Sequence, residues 1–168
     1  MKHFFAAMAV SLSISAPAHA AVDGCLVGTW WADISDIADL MTMQMGSRAT
    51  ALGGDARMDI AASGDMRITV RSLQFNVTMP DAPASVVTIN GYSAGDIDAA
   101  GGVWTARVPD YNLTGSADVL GQTLSIPFTS STGMFGGGLG GYWCNGSQLV
   151  FETDPSRPAG IARTWRRG

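Results

Sequence analysis

Short strand-like segments separated by turn residues run from residue 57 almost to the C-terminus, and this pattern constrains the fold most. The separators include Ser63-Gly64-Asp65, Gly101-Gly102 and Pro109-Asp110, residue types that end strands and form hairpin turns. The segments between them are 57–62, 66–71, 73–79, 86–91, 95–98, 103–108, 111–118, 123–128, 142–144 with 148–152, and 161–166. The pattern predicts a mainly β protein, a single closed antiparallel barrel of about 8–10 strands.

One helical segment is predicted near the start of this barrel. Its apolar residues recur at helical spacing and are Ile37, Met41, Met45, Ala49 and Leu52. Either Asp33 or Ser35 can cap the first turn, and Gly53-Gly54 ends the pattern. Gly46-Ser47 lies in the middle and suggests two short helices in place of one.

The strand that precedes the helix contains Cys25-Leu26-Val27-Gly28-Thr29-Trp30-Trp31. Adjacent residues of a strand point to opposite faces, so one tryptophan can enter the barrel while the other packs outside. Gly28 has no side chain, which allows another segment to cross closely beside the buried ring. A C-terminal cation can then cover that ring, and Arg163 and Arg166 are the candidates.

These residues carry a resemblance to a known superfamily. Gly28-Thr29-Trp30 resembles the Gly-x-Trp of the first strand in calycins, the lipocalins and fatty-acid-binding proteins, and Arg163-Thr164-Trp165-Arg166 is similar to the last strand of the fatty-acid-binding branch. The resemblance implies a helix-turn-helix over the barrel mouth. It also implies that Arg163 and Trp165 hold a ligand carboxylate, with an indole N–H where the family has a tyrosine hydroxyl.

The resulting leading hypothesis is a barrel that binds a small apolar or amphipathic, fatty-acid-like ligand in its interior. We expect Trp30, Met41, Met45 and Trp104 to line the pocket, because flexible thioethers adapt to varied apolar ligands. Ordinary core packing is the competing interpretation of the methionines. The alternative function is a filled barrel that serves as an envelope structural or protein-interaction module.

The N-terminal residues have the layout of a secretory signal peptide, with Lys2, an apolar run and Ala18-His19-Ala20 before Ala21. We expect cleavage after Ala20, leaving residues 21–168 as one calycin-like barrel domain in the periplasm or outside the cell. The apolar run is too short to span a bilayer, and no later segment predicts a transmembrane helix.

Removal of residues 1–20 takes away the lysine and both histidines, Lys2, His3 and His19. We therefore predict no enzyme based on an imidazole or an amine, no catalytic residues and no cofactor. Nine arginines against fourteen carboxylates argue against nucleic acid or an anionic membrane as a partner. A hydrolase based on two carboxylates, with Glu152 and Asp154 as candidates, is the remaining enzymatic option.

Cys25 and Cys144 are the two cysteines of the chain, and an exported domain favours one disulfide between them. The alternative is lipidation of Cys25, although Asp23 fits a lipobox poorly. A metal site built on the methionines lacks histidine and a free thiol, so we predict no metal.

A glycine-rich segment at 136–141 contains a formal Gly-x-Gly-x-x-Gly, but the strand-like Tyr142-Trp143-Cys144 follows it. A dinucleotide site needs a helix N-terminus at that point, so we reject this motif. We predict instead a mobile loop over 130–141 that exposes Met134, Phe135 and Leu139. Such a loop either gates a ligand or is a connection without a role.

Overall fold

The structure is a computed structural model that describes residues 22–78, 83–119, 121–131, 134–153 and 160–168, without the side chains of Met45 and Thr153. The predicted signal peptide lies outside these ranges. Within them the chain forms one helix, α1 (Ile34–Met45), and nine strands: β1 (Gly28–Ala32), β2 (Arg48–Ile60), β3 (Asp65–Thr78), β4 (Ser85–Ala100), β5 (Val103–Val119), β6 (Gln122–Pro127), β7 (Gly137–Cys144), β8 (Gln148–Thr153) and β9 (Thr164–Arg167).

Eight of the nine described strands close into an antiparallel ring in the order β1-β2-β3-β4-β5-β7-β8-β9, with β9 returning to β1. The ninth, β6, pairs with the far end of β5. The predicted mainly β barrel with a short helix after the first strand is therefore confirmed. No described helix has the length and apolar character needed to cross a membrane.

The ring divides into two parts that are paired differently. In the closed half, β1, β7, β8 and β9 complete the circle with the adjoining parts of β2 to β5. In the open half, residues 48–55, 71–78, 85–93, 111–119 and 122–127 form a five-stranded sheet in the order β2-β3-β4-β5-β6. This sheet has two edges, at β2 and at β6.

Several predicted strand ends are bulges inside longer strands. The segments 66–71 and 73–79 belong to the single strand β3, whose pairing with β4 shifts between Val70 and Leu73. Ser72 lies there with a φ of 44° and donates its backbone N–H to Asn90 Oδ1 at 2.7 Å. Another shift between Ala94 and Asp96 interrupts the pairing of β4 with β5. A bulge uses the same small and polar residues as a turn, but the strand continues.

Helix α1 ends earlier than its apolar pattern predicts. Asp33 is the N-cap and accepts a hydrogen bond from the backbone N–H of Ser35, and Gly46 is the C-cap with a left-handed φ of 62°. Ala49 and Leu52 lie in β2 and not in a helix. The expected helix-turn-helix is therefore wrong, because glycine readily adopts the left-handed conformation that ends a helix.

The interior is one continuous apolar cluster to which the strands of the ring and α1 contribute. The predicted disulfide is present between Cys25 and Cys144, whose Cα atoms are 6.2 Å apart across 119 positions of sequence. It ties the segment that leads into β1 to the end of β7, so the bridge lies in the closed half.

Candidate functional site

Trp30 is the centre of the closed half. It has no solvent exposure, whereas Trp31 is 38% exposed, as the alternation of the first strand predicts. The indole N–H of Trp30 donates to Leu26 O at 2.7 Å. Arg167 covers the ring, with its guanidinium carbon 4.3 Å from the ring centroid. A Cβ on Gly28 would lie 2.6 Å from Arg167 Nη1, so the glycine of the Gly-x-Trp motif makes room for this cation.

Arg167 also closes this end of the barrel with hydrogen bonds. Its guanidinium donates to Cys25 O at 2.7 Å, to Val27 O at 3.1 Å and to Gly146 O. The cation over the ring is therefore not one of the two predicted candidates. Arg166 points outward, 3.9 Å from Asp33 Oδ2, and Arg163 is exposed before β9 begins. Alternation from the buried Trp165 excludes Arg166 and allows both Arg163 and Arg167, each two positions away. Only Arg167 lies within β9.

Trp104 and Trp165 are also buried and pack against other aromatic rings. Trp104 meets Phe151 edge to face at a centroid distance of 4.9 Å. Trp165 meets Phe135 at 6.3 Å in the same manner, and its indole N–H donates to Ala162 O at 2.7 Å. The calycin resemblance implies that the indole N–H of Trp165 binds a ligand carboxylate, but this N–H is hydrogen-bonded to the backbone.

The two predicted pocket methionines lie on α1. Met41 is 2% exposed and belongs to the central cluster together with Ile37 and Ala38 of the same helix. Met45 ends the helix, and its side chain lies outside the description. The structure therefore brings Met41, Trp30, Trp104 and Trp165 into one core and leaves Arg163 at the surface. The ligand-binding role of these six residues stays a prediction.

The glycine-rich segment is not the exposed loop that the sequence predicts. Residues from Gly137 onward form β7, which pairs with β5 and β8. Met134 and Phe135 are each 1% exposed, and only Leu139 of the predicted tip is at the surface. Tyr111 Oη donates to Met134 O at 2.8 Å. The loop prediction is wrong for residues 137–141 and for the exposure of Met134 and Phe135, because apolar burial and pairing on both sides outweigh the low strand propensity of glycine. Residues 130, 131 and 134–136 lie outside the strands, and residues 132 and 133 of the predicted loop lie outside the described residues.

Two buried polar atoms have no hydrogen-bond partner among the described residues, Ser93 Oγ and Trp104 Nε1. A Cβ on Gly140 would lie 3.2 Å from Trp104 Nε1 and 1.9 Å from Glu152 O. Gly140 therefore permits close approach of both the indole and the neighbouring strand.

An open cleft of about 650 Å³ lies between α1 and β8. Its apolar lining consists of Leu40, Met43, Phe151 and Ile161, and its charged lining consists of Asp36, Asp39, Glu152 and Arg163. Asp36 Oδ2 accepts the backbone N–H of Thr164 at 2.6 Å, which ties the helix to β9. Of the six predicted ligand-binding residues, Arg163 lines this cleft.

A second open cleft, of about 680 Å³, lies on the outer face of β2 to β5 and is lined by Arg67 and several aspartates. The Arg67 guanidinium lies over the Tyr92 ring at 3.8 Å, and Asp59 accepts hydrogen bonds from Thr29 and Arg57. Among the described residues, no group of three histidine, cysteine, aspartate or glutamate side chains is arranged to hold a metal ion.

The outer face of the closed half carries an apolar patch formed by Val103, Leu139 and Trp143, which are 61%, 40% and 51% exposed. Val103 on β5 pairs with Gly141 on β7, and Leu139 and Trp143 lie two positions to either side of that glycine. All three side chains therefore share one face. We call this group the outer patch.

Two tyrosines have perturbed acidities. Burial raises the pKa of Tyr111 to about 12. Desolvation, and then its hydrogen bond to Asp23, raise the pKa of Tyr142. Both side chains belong to β5 or β7, the strands beside the outer patch, and neither has the lowered pKa expected of a catalytic base.

The chain was compared with protein-family models, with curated proteins and with solved structures, and nothing in these three comparisons matches it.

Proposed function

We propose that the protein is a non-catalytic binding module whose barrel interior is a packed core and which contacts a partner through its outer surface. The observation that carries this proposal is the complete burial of the three tryptophans among the predicted pocket residues. Trp30, Trp104 and Trp165 are at most 1% exposed, and their rings contact other rings or a guanidinium. An eight-stranded barrel has an interior that side chains alone can fill.

The hydrogen bonds of two of the three indoles support the same conclusion, whereas Trp104 Nε1 has no partner among the described residues. Trp30 and Trp165 donate to backbone carbonyls within a few residues of themselves, so these groups serve the local chain. A ligand site presents its few polar groups toward an open space. The filled-barrel function is thereby favoured over a ligand inside the barrel.

The barrel also supports the proposed relationship to calycins and the proposed export. A closed antiparallel ring and a cation over the Gly-x-Trp ring support the relationship, whereas the single helix α1 differs from the helix-turn-helix that the resemblance implies. The Cys25–Cys144 disulfide is favoured in oxidising compartments. Together with the signal-like N-terminus, it supports a periplasmic or extracellular location.

The outer patch is the surface we assign to the partner. Exposed apolar groups are typical of protein contacts when they are contiguous, and tryptophan is enriched among residues that dominate binding energy. Trp143 is the aromatic member of the patch and Val103 the most exposed. An apolar patch on a partner protein is the matching surface.

Site-specific photo-crosslinking in intact cells tests this proposal. A photoreactive amino acid at position 143 or 103 should give a discrete adduct, because both side chains are exposed on the outer patch. The same probe at Gln74, which is exposed on β3, is the control and should give none. Equal labelling at all three positions, or none at position 143, would contradict the proposal.

A panel of fluorescent fatty acids and neutral lipids tests the packed interior separately. Anything that binds only the folded state raises its melting temperature, so a packed barrel predicts no shift with these probes. A shift that disappears in Met41→Ala, whose side chain lies in the core, would instead favour the interior pocket.

The cleft between α1 and β8 supports a second candidate function, binding of a small amphipathic ligand at the barrel surface. Its volume lies in the range of small-molecule sites, and Met43 is 67% exposed at its edge. Three carboxylates against one guanidinium favour a ligand with a cationic or zwitterionic head over a fatty-acid anion.

Thermal-shift measurements with an alkylamine, a zwitterionic lysolipid and a fatty acid of equal chain length test this candidate. The first two should raise the melting temperature more, and Met43→Ala should weaken both equally because it removes only apolar contact. Met43→Leu is the matched control that keeps the apolar volume. A larger shift with the fatty acid, lost in Arg163→Gln, would restore the carboxylate-binding role predicted for Arg163.

A further inference from the structure

Strands β6 and β7 both pair with the same side of β5, one at each end of that strand. The pairing of β5 with β7 covers Val103 to Arg107, and its pairing with β6 covers Thr114 to Val119. On its other side β7 has β8. On its other side β6 has no described strand. The sheet therefore continues past β7 in the closed half, whereas in the open half β6 is its last described strand.

This edge offers backbone groups for pairing from Gln122 to Ile126, whereas Pro127 has a carbonyl but no N–H to offer. In an antiparallel pair, every second residue points its N–H and C=O away from the partner strand, so half of the residues of β6 direct them outward. Five of the six residues are exposed, and Ile126 is partly buried. At 3.3–3.4 Å per residue, the strand presents roughly 20 Å of open edge.

The opposite edge of the open half is protected. Helix α1 packs against β2, and Thr42 Oγ1 accepts the backbone N–H of Ala49 at 3.0 Å. Bulges between Ala51 and Asp55 further disturb that strand. Helix cover, bulges, charged residues, proline and short length are the devices that prevent unwanted edge pairing. Strand β6 has no helix cover from the described chain, no register shift and no charged residue between Gln122 and Pro127. It is six residues long, and its one proline is its last residue.

We propose that β6 pairs with β6 of a second copy of this chain, antiparallel across a two-fold axis. The sequence of the strand is self-complementary in one register. When Ser125 lies opposite Ser125 of the second copy, Leu124 lies opposite Ile126 of that copy, and the reverse contact follows from symmetry. Leu124 and Ile126 share the face that Ala117 and Gly115 occupy on β5, so the apolar pairs extend the inner face of the sheet.

The self-complementary register is the reason to assign a second copy to this edge, and the lack of charged residues between Gln122 and Pro127 permits that contact. The protein is acidic, with a net charge of −4 for the full chain, so two copies repel one another over most of their surfaces. An uncharged edge lets them meet without opposed carboxylates. The half-exposed Leu124 gains burial in that contact. A single six-residue strand is a small interface, so the association is weak and depends on concentration.

Sedimentation velocity of the disulfide-bonded mature protein tests this association. The mass should change from monomer toward dimer over concentrations from about 10 µM to about 1 mM, the range expected for a small interface. Leu124→Lys should weaken the dimer at least about tenfold, because lysine on an edge opposes strand pairing. Leu52→Lys is the matched control, since Leu52 is 54% exposed on the protected edge, and it should leave the dimer unchanged.

A cysteine crosslink tests the register. In Ser125→Cys the two thiols face each other across the axis, and directly opposite residues have Cα separations that a disulfide accepts. Oxidation should therefore give a covalent dimer. Thr123→Cys, which is not self-opposed in this register, should give much less, and the native cysteines do not interfere because they are bonded to each other.

Three results would overturn this assignment. A monomer at every concentration would remove the dimer. A dimer insensitive to Leu124→Lys, or crosslinked equally by Thr123→Cys, would place the contact elsewhere. Binding of an unrelated extended peptide by a protein that stays monomeric would show that the edge serves strand addition by another protein.

Discussion

The two halves of this barrel are made from the same long strands but are stabilised in different ways. The closed half has a complete ring, the Cys25–Cys144 bridge and the Trp30–Arg167 contact. The open half has an edge covered by α1 and, at β6, an edge with no further strand among the described residues. From this difference we expect stability to be concentrated where the ring closes. Each half carries a surface for contact, the outer patch on the closed half and the β6 edge on the open half.

Replacing Trp30 by alanine should have the largest effect on this comparison. The ring is fully buried and carries the Arg167 contact, so its loss should lower the free energy of unfolding by about 3–5 kcal/mol. Trp31→Ala is the matched control, because that side chain is partly exposed on the same strand. Urea denaturation measures both, and equal small losses would mean that the closed half does not depend on this residue.

Removing the disulfide should have the next largest effect. The bridge closes a loop of more than 100 residues, and loss of a native bridge in a small exported domain costs about 2–5 kcal/mol. The double variant Cys25→Ser with Cys144→Ser should unfold at lower urea. Hydrogen exchange should rise most in β1 and β7, where the bridge acts. A uniform rise over both halves would show that the halves unfold as a single unit.

Alkaline pH should lower the stability of the protein through Tyr111, which lies where the closed and open halves meet. Tyr111 pairs with Ser93 on β4 and donates to Met134 O, and burial raises its pKa from 10.0 to about 12. The unfolded tyrosine loses its proton at lower pH than the folded one. Stability is therefore fully present below pH 10 and falls as the pH rises toward 12. The urea midpoint should follow this trend.

Tyrosine-to-phenylalanine variants identify the group responsible for that trend. Tyr111→Phe should flatten the decline, whereas Tyr142→Phe should reduce it less because Tyr142 is closer to the surface. An unchanged slope in Tyr111→Phe would mean that the junction between the halves is not the alkaline weak point.

The features predicted correctly depend on patterns that are local or have few solutions. Alternation of one strand places Trp30 inside and Trp31 outside, and two cysteines allow one intramolecular pairing. The spacing of strand-like segments was sufficient to predict a closed barrel of about 8–10 strands, and eight of the described strands form the ring. These inferences need no knowledge of the partners that each strand finds.

The wrong predictions concern residue types that occur in two kinds of local structure. The breaks predicted between strands at Ser72 and just before Gly95 coincide with bulges within continuous strands. Ala49 and Leu52 fit a helical period, yet Gly46 ends the helix and they continue into β2. Glycines suggest a loop at β7, where Gly140 instead allows close contact with Glu152 O. Tertiary pairing decides each case, and a single sequence does not display it.

Prediction of the candidate site from the sequence is limited by tertiary pairing in the same way. Burial of Trp30, Trp104 and Met41 follows from their apolar character, but whether they surround a space or fill it depends on how the strands close. Alternation from Trp165 excludes Arg166 but allows both Arg163 and Arg167. The choice between these two depends on where β9 begins, and it begins at Thr164.

The smallest predicted effect lies at the start of α1, the helix that protects one edge of the open half. Asp33 accepts the Ser35 N–H as the N-cap, and Asp33→Ala should cost about 0.5–2 kcal/mol. The hydrogen bonds from the Ser35 side chain and backbone lower the pKa of Asp33 from 3.8. Its contribution is therefore present above that value and is lost as the pH falls through the lower, folded pKa.

Asp33→Asn separates the cap from the charge, because asparagine caps a helix about as well as aspartate but does not titrate. Near neutral pH, this variant should keep most of the stability that Asp33→Ala loses, and it should show a weaker decline in acid. If the two variants lose equal stability at neutral pH, the charge at this helix start matters more than the cap. If neither destabilises, α1 is held mainly by Asp36 and its burial on the core.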